Sequence, residues 1–170
     1  MKERCPSARF VGVATLPAHR LAFTRTSIRR GCGVADVVPE AGRSVWGIAF
    51  EITALDVGAL DKSEGYRPGR TKNSYWRREC MVFLDGNEER SVTASSYFGE
   101  PESDPPLPNQ AYKDLILSGA RYWHLPDDYI AELESIEAPS PDSRRDLVVL
   151  KALHKQFPNP RDREGCTPIQ

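Results

Sequence analysis

Apolar and polar positions change their period twice along this chain. Residues 8–16 (ARFVGVATL) and 20–27 (RLAFTRTS) are apolar-rich runs separated by Pro17 and Ala18, a pattern that predicts two strands joined by a turn. The valine-rich residues 33–38 (GVADVV) predict another short strand. Residues 44–52 (SVWGIAFEI) are apolar on both faces up to Glu51, as expected of a central strand. At Thr53 the period becomes helical. Leu55, Ala59 and Leu60 share one face, Thr53 and Asp56 have the spacing of a capping box, and Gly65 supplies a terminator. After the polar, basic stretch 66–73 (YRPGRTKN), residues 74–84 and 90–98 return to strand character. Asp85-Gly86-Asn87 between them predicts an antiparallel hairpin.

The last third is helical. Residues 99–108 (GEPESDPPLP) are too rich in proline and acids for regular structure. Asn109 is placed to cap a helix in which Tyr112, Leu115, Ile116 and Gly119 line one side. Pro126 starts a third helix with Tyr129, Ile130 and Leu133 as its apolar stripe. Residues 1–138 therefore read as one domain. Residues 139–170 read as a linker, a short amphipathic segment over 147–157 and a disordered tail. Strands followed by packed helices indicate an α+β fold with a strongly curved sheet or small barrel.

Composition narrows the function classes. The 170 residues carry a formal net charge of -1, with 39% hydrophobic and 28% charged residues. That is an ordinary globular composition, without the basic footprint of a nucleic-acid-binding protein. No apolar run approaches the length of a membrane span, so neither nucleic acid nor membrane is an expected partner. Cys5, Cys32, Cys80 and Cys166 form no paired motif, and His19, His124 and His154 stand apart from them, which argues against a zinc site. Cysteines of this kind and the lack of a signal peptide suit a cytoplasmic protein with reduced thiols. No nucleophile elbow, zinc-protease motif, phosphate loop or dinucleotide fingerprint is found.

One stretch remains chemically informative, Leu60-Asp61-Lys62-Ser63-Glu64-Gly65. Asp61 and Glu64 are three residues apart and share a side of the last helical turn. A glutamate beside a terminating glycine is most often solvated, so the spacing alone assigns no role.

Taken in order, residues 4–27 (RCPSARFVGVATLPAHRLAFTRTS), 33–53 (GVADVVPEAGRSVWGIAFEIT), 60–66 (LDKSEGY), 108–112 (PNQAY) and 125–130 (LPDDYI) resemble the gamma-glutamylcyclotransferase-like (AIG2-like) family. The tighter elements are Val45-Trp46-Gly47, Leu60-Asp61 with Glu64-Gly65, and Pro108 four residues before Tyr112. The resemblance implies a small mixed β-barrel with flanking helices. It also implies a lyase that cyclises a gamma-glutamyl group to 5-oxoproline and releases an amine or amino acid. Glu64 matches the family's acid/base. Tyr112 matches its substrate-contacting tyrosine, and Tyr75 a tyrosine near the pocket that opens the strand after the Glu64-Gly65 turn.

Neither a cofactor nor a metal is implied, and the expected partner is a small gamma-glutamyl molecule. Relatives act on gamma-glutamylamines, gamma-glutamyl-epsilon-lysine or glutathione, so the leaving group and the oligomeric state stay open. Loops 66–73 and 99–108 are expected to set the leaving-group preference.

The resemblance has one departure. The family's first strand and its Tyr-Gly-Ser-Asn loop, whose amides hold substrate, have no counterpart, and the chain opens at the segment that follows them. A start assigned too late is the expected explanation, with residues 2–7 as the remnant of a helix. The alternative expectation is a truncated or degenerate, non-catalytic family member that binds a small molecule or a protein.

Overall fold

A computed structural model of the chain describes residues 5–139. The amphipathic segment and tail expected over 140–170 lie outside the described residues, as do residues 1–4. Where a helix remnant was expected, residues 5–8 instead form a turn closed by the Ala8 N–H on the Cys5 carbonyl at 3.0 Å.

The four strand segments expected in the first 52 residues are two long strands. β1 (Arg9–Ser27) and β2 (Cys32–Glu51) pair antiparallel from Arg9↔Glu51 to Ser27↔Cys32. Pro17 and Ala18 bend β1 rather than reverse it. The register jumps from Pro17↔Ser44 to His19↔Pro39, with Ala18 at φ 55° and Gly42 at φ 77° on the side that loops out. Proline cannot donate to the ladder, so the pairing breaks there and resumes beyond the bulge.

Residues 44–51, expected in a central strand, occupy an outer position in the sheet order β2-β1-β3-β4. Their two-sided apolarity has another cause, because this part of β2 serves two cores. Trp46 and Ile48 pack against the helices, Ala49 packs against the sheet cluster of Ala14, Leu16, Val82 and Phe98, and Val45 touches both.

β3 (Tyr75–Leu84) and β4 (Ser91–Gly99) form the expected hairpin, with a short 3-10 helix at Glu88–Arg90. Gly86, at φ 70°, is required in its turn. A Cβ there would lie 2.7 Å from the Trp46 ring. β1 meets β3 only at Ala14↔Leu84 and Thr15↔Phe83. The sheet then curls until β2 reaches β4, where Asp36 Oδ1 accepts the Gly99 N–H at 2.8 Å. Every ladder among the described residues is antiparallel.

The first helix, α1 (Ala54–Ser63), is capped from outside. The Thr53 side chain makes no capping bond to the helix. Ser7 Oγ instead accepts the Thr53 N–H at 2.9 Å and donates to Asp56 at 2.6 Å. Thr53 and Asp56 thus act through a third residue 46 positions away from the first of them. The expected apolar face is also displaced: Leu55 is 91% exposed, and the helix buries Asp61. α2 (Gln110–Tyr122) and α3 (Asp127–Glu134) bury Leu117, Ala120, Tyr129 and Leu133 in a common core with Leu125.

The proline-rich segment 100–108 is irregular but tied down. The Glu102 N–H donates to the Thr24 carbonyl at 2.8 Å, the Gly33 N–H to the Leu107 carbonyl at 3.0 Å, and Pro108 is fully buried. At Gly33 an added Cβ would lie 2.0 Å from the Pro106 carbonyl oxygen, whereas at Gly47 it meets nothing within 4 Å. Gly33→Ala should therefore cost about 3 kcal/mol by overpacking, and Gly47→Ala under about 1 kcal/mol. Denaturant midpoints of the two variants check this contrast, and equal midpoints would refute it.

Candidate functional site

The site is built around the C-terminal end of α1. Glu64 caps the helix, and the Gly65 N–H bonds to the Lys62 carbonyl at 3.2 Å. The Tyr66 N–H bonds to the Asp61 carbonyl at 2.9 Å. These two bonds make a Schellman ending, which needs a left-handed residue at position 65. Gly65 meets that need at φ 70°, and a Cβ there would come within 3.1 Å of Ser74. The predicted terminator therefore fixes where the half-buried Glu64 sits.

Asp61, one turn back, pins this end to the sheet. It is 8% exposed, accepts Arg77 Nη1 at 3.0 and 3.2 Å, and accepts the Tyr97 hydroxyl at 2.7 Å. Arg77 belongs to β3 and Tyr97 to β4, so one carboxylate ties the helix end to both strands. Burial and the bond to Asp61 push the Tyr97 phenol well above its ordinary range.

Tyr75 opens β3 opposite Gly99. Burial is the main cause that pushes its phenol up to about 12, and the Asp36 carboxylate is the next. Tyr112 and Glu64 add to the shift, while the Arg25 guanidinium, 5.8 Å from the ring centroid, opposes it.

Tyr112 lies in the first turn of α2. The Asn109 side chain accepts its N–H at 2.9 Å, as the capping pattern predicts. Its hydroxyl accepts the Ala35 N–H at 3.2 Å, and Phe23 meets its ring edge-on at 6.4 Å. Burial raises the Tyr112 phenol, the Ala35 bond and Arg30 oppose this, and Glu64 again raises it. The residues singled out from sequence are thus gathered: Glu64 acts electrostatically on both Tyr75 and Tyr112, and Gly65 adjoins it.

The basic loop is not the source of cationic charge at these phenols. Arg67, Arg70 and Lys72 are exposed, and the opposing charges come from Arg25 and Arg30. Sequence reasoning missed Asp36, which is 5% exposed and accepts hydrogen bonds from Thr24 Oγ1 at 2.6 Å and from the Val37 and Gly99 N–H groups at 2.8 Å. The available signal was a single acid inside the apolar run GVADVV. Asp36 also lines a groove of about 590 Å³ together with His19, Arg78, Phe98 and Glu100. Glu64, Tyr75 and Tyr112 do not line that groove. Among the described residues no cluster of three or more His, Cys, Asp or Glu side chains could hold a metal ion.

The family model described as "AIG2-like family" matches residues 44–133, which include Glu64, Tyr75 and Tyr112. The chain belongs to the AIG2-like family. It is similar to the gamma-glutamylcyclotransferase of Bos taurus, with 34% identity over 139 residues covering 79% of this chain and 70% of the bovine one. Its identity to the Homo sapiens gamma-glutamylcyclotransferase is 33% over the same coverage. A solved gamma-glutamyl cyclotransferase structure superposes with a TM-score of 0.76 at 26% identity, covering 91% of this chain and 89% of that one. The α+β arrangement is thus that of solved cyclotransferases.

Two outcomes follow from the site's geometry. Asp61→Ala leaves Arg77 and the Tyr97 hydroxyl without their shared acceptor and should destabilise the fold by about 2–3 kcal/mol. A wild-type unfolding midpoint would contradict the anchoring role. The second concerns alkaline pH. An unfolded tyrosine loses its proton near pH 10, roughly its model value, whereas Tyr75 holds its proton to about 12. The unfolded chain deprotonates first, so this contribution to stability is intact below pH 10 and is lost as pH rises through about 12. Tyr75→Phe should flatten that part of the stability–pH curve, as read by denaturant midpoints across the range.

Proposed function

We propose that this chain is a lyase of the gamma-glutamylcyclotransferase type, with Glu64 as general acid and base and Tyr112, Tyr75 and Gly65 at the substrate. The reading rests on one observation, the carboxylate of the helix C-cap residue Glu64 within electrostatic reach of two phenols, Tyr75 and Tyr112. The relatives named gamma-glutamylcyclotransferase support it.

In the proposed reaction the substrate's own α-amine attacks its γ-carbonyl carbon and closes a five-membered ring. Joining both reactants in one molecule supplies a high effective concentration, so no protein nucleophile is needed. Glu64 takes the proton released by the attacking nitrogen and delivers it to the departing nitrogen. The carbon–nitrogen bond to the leaving group then breaks, giving 5-oxoproline and a free amine or amino acid. A tetrahedral oxyanion forms on the way and needs hydrogen-bond donors. Tyr75, whose phenol stays protonated to about 12, is suited to donate there.

We place the reaction in the cytoplasm and assign it to gamma-glutamyl metabolism, including that of glutathione. Cys32 and Cys80 are free cysteines, in keeping with a reducing compartment. No helix among the described residues is long and apolar enough to cross a membrane.

Glu64→Gln keeps the shape of the side chain and removes its proton-transfer capacity. It should lower 5-oxoproline release from gamma-glutamyl compounds by at least about 100-fold while leaving the melting temperature near wild type. Turnover at the wild-type rate would remove Glu64 from the mechanism.

A further inference from the structure

Most arginines in the described part of this protein have an acidic partner. Arg9, Arg20, Arg25, Arg43, Arg77, Arg90 and Arg121 each pair with a described Asp or Glu. Arg30 is different, because it makes no ion pair among the described residues yet is half-buried at the site. Its guanidinium carbon lies 4.7 Å from the centroid of the Tyr112 ring, where the attraction is cation–π.

The backbone of Arg30 is also held in place. Its N–H donates to the Ser27 carbonyl at 3.1 Å, and its carbonyl accepts Asn109 Nδ2 at 3.2 Å. The same Asn109 side chain caps the helix turn that carries Tyr112. Arg30 and Tyr112 are therefore positioned by one shared residue. The guanidinium keeps its fork of N–H donors beside a ring that also feels the charge of Glu64.

A half-buried guanidinium stacked on a ring and with no carboxylate partner among the described residues is well suited to a carboxylate that arrives with the ligand. We propose that Arg30 binds a carboxylate of the gamma-glutamyl substrate. The assignment rests on the cyclotransferase reading and deepens it. Arg25, the other cation beside the tyrosines, is already committed to Glu102 at 3.5 Å and to the Glu100 carbonyl at 2.5 Å. Two carboxylates are available on such ligands, the α-carboxylate of the glutamyl group and that of an amino-acid leaving group.

The test compares Arg30→Ala with wild type on gamma-glutamyl-alanine, which carries both carboxylates, and on gamma-glutamyl-ethylamine, which carries only the first. Arg29→Ala, at an exposed neighbour, controls for the same change in net charge. Loss of one charge-assisted contact should raise KM about tenfold or more, with kcat within about twofold. A rise with both compounds places the α-carboxylate on Arg30, and a rise with gamma-glutamyl-alanine alone places the leaving-group carboxylate there. Arg30→Lys, which keeps the charge, should recover part of the loss. Unchanged KM values with both compounds would overturn the proposal, as would an equal effect of Arg29→Ala.

If wild type turns over neither compound, the cyclotransferase reading fails by itself. Calorimetric titration of the same two compounds then decides about Arg30. Weaker binding to Arg30→Ala supports the carboxylate site, and equal binding, or no binding to wild type, overturns it.

Discussion

The curvature of this domain depends on one buried carboxylate. Asp36 lies in the first third of β2 and collects hydrogen bonds from Thr24 on β1, Gly99 on β4 and the adjacent Val37 amide. Joining the two outer strands of a four-stranded sheet this way bends it into a partly closed wall, since β1 and β3 share only two paired positions. A buried carboxylate is tolerated only when its oxygens are satisfied, and here three donors converge on it. Gly99 is bound to the same constraint. A Cβ at that position would lie 2.5 Å from the Asp36 carboxylate, so the closure requires glycine opposite Asp36. Tyr75 pairs with that glycine, and Asp36 helps to keep its phenol neutral. The contact that closes the sheet thus also adds to the effect of burial on Tyr75.

Asp61 plays the corresponding part for the helix. Its bonds to Arg77 and Tyr97 fasten the last turn of α1 to β3 and β4, and the Schellman ending then leaves Glu64 one place for its backbone. Two acids on one helix end therefore have different surroundings. Asp61 is spent on structure, while Glu64 remains half-buried beside the tyrosines. Their separation of three residues was visible in the chain, but the anchoring of Asp61 depends on Arg77 and Tyr97, which are distant in sequence.

Local signals were legible where they were self-contained. The Asp85-Gly86-Asn87 turn, the Asn109 cap and the Gly65 terminator each depend on neighbours within a few residues, and each formed as expected. The errors arose where a distant residue intervened. Pro17-Ala18 has turn chemistry, yet pairing with β2 on both sides absorbed it as a bulge. Thr53 has cap chemistry, yet Ser7 took the bonds. The two-sided apolarity of residues 44–51 was real, but a strand between two cores carries the same pattern as a central strand. Gathering Glu64, Tyr75 and Tyr112 needed the family's ordered motifs, because no periodicity links a helix end, a strand start and a second helix.

A site with one proposed proton-transferring carboxylate and two phenols is sparse for an enzyme, and the proposed chemistry asks for little more. Ring closure within one molecule removes the need to bring two reactants together, leaving proton transfer and charge stabilisation to the protein. Proton transfer requires a group that can both accept and donate. Charge stabilisation requires donors that do not themselves ionise. Tyr75 meets the second condition through burial and through the nearby charges of Asp36 and Glu64, all of which disfavour a phenolate. The carboxylate proposed to carry the proton is thus among the groups that disfavour ionisation of its neighbour. Arg25 and Arg30 work against this on Tyr75 and Tyr112 respectively, and burial outweighs both. The balance leaves two neutral phenols flanked by cations, an arrangement suited to an anionic ligand that must be held without ionising the groups around it.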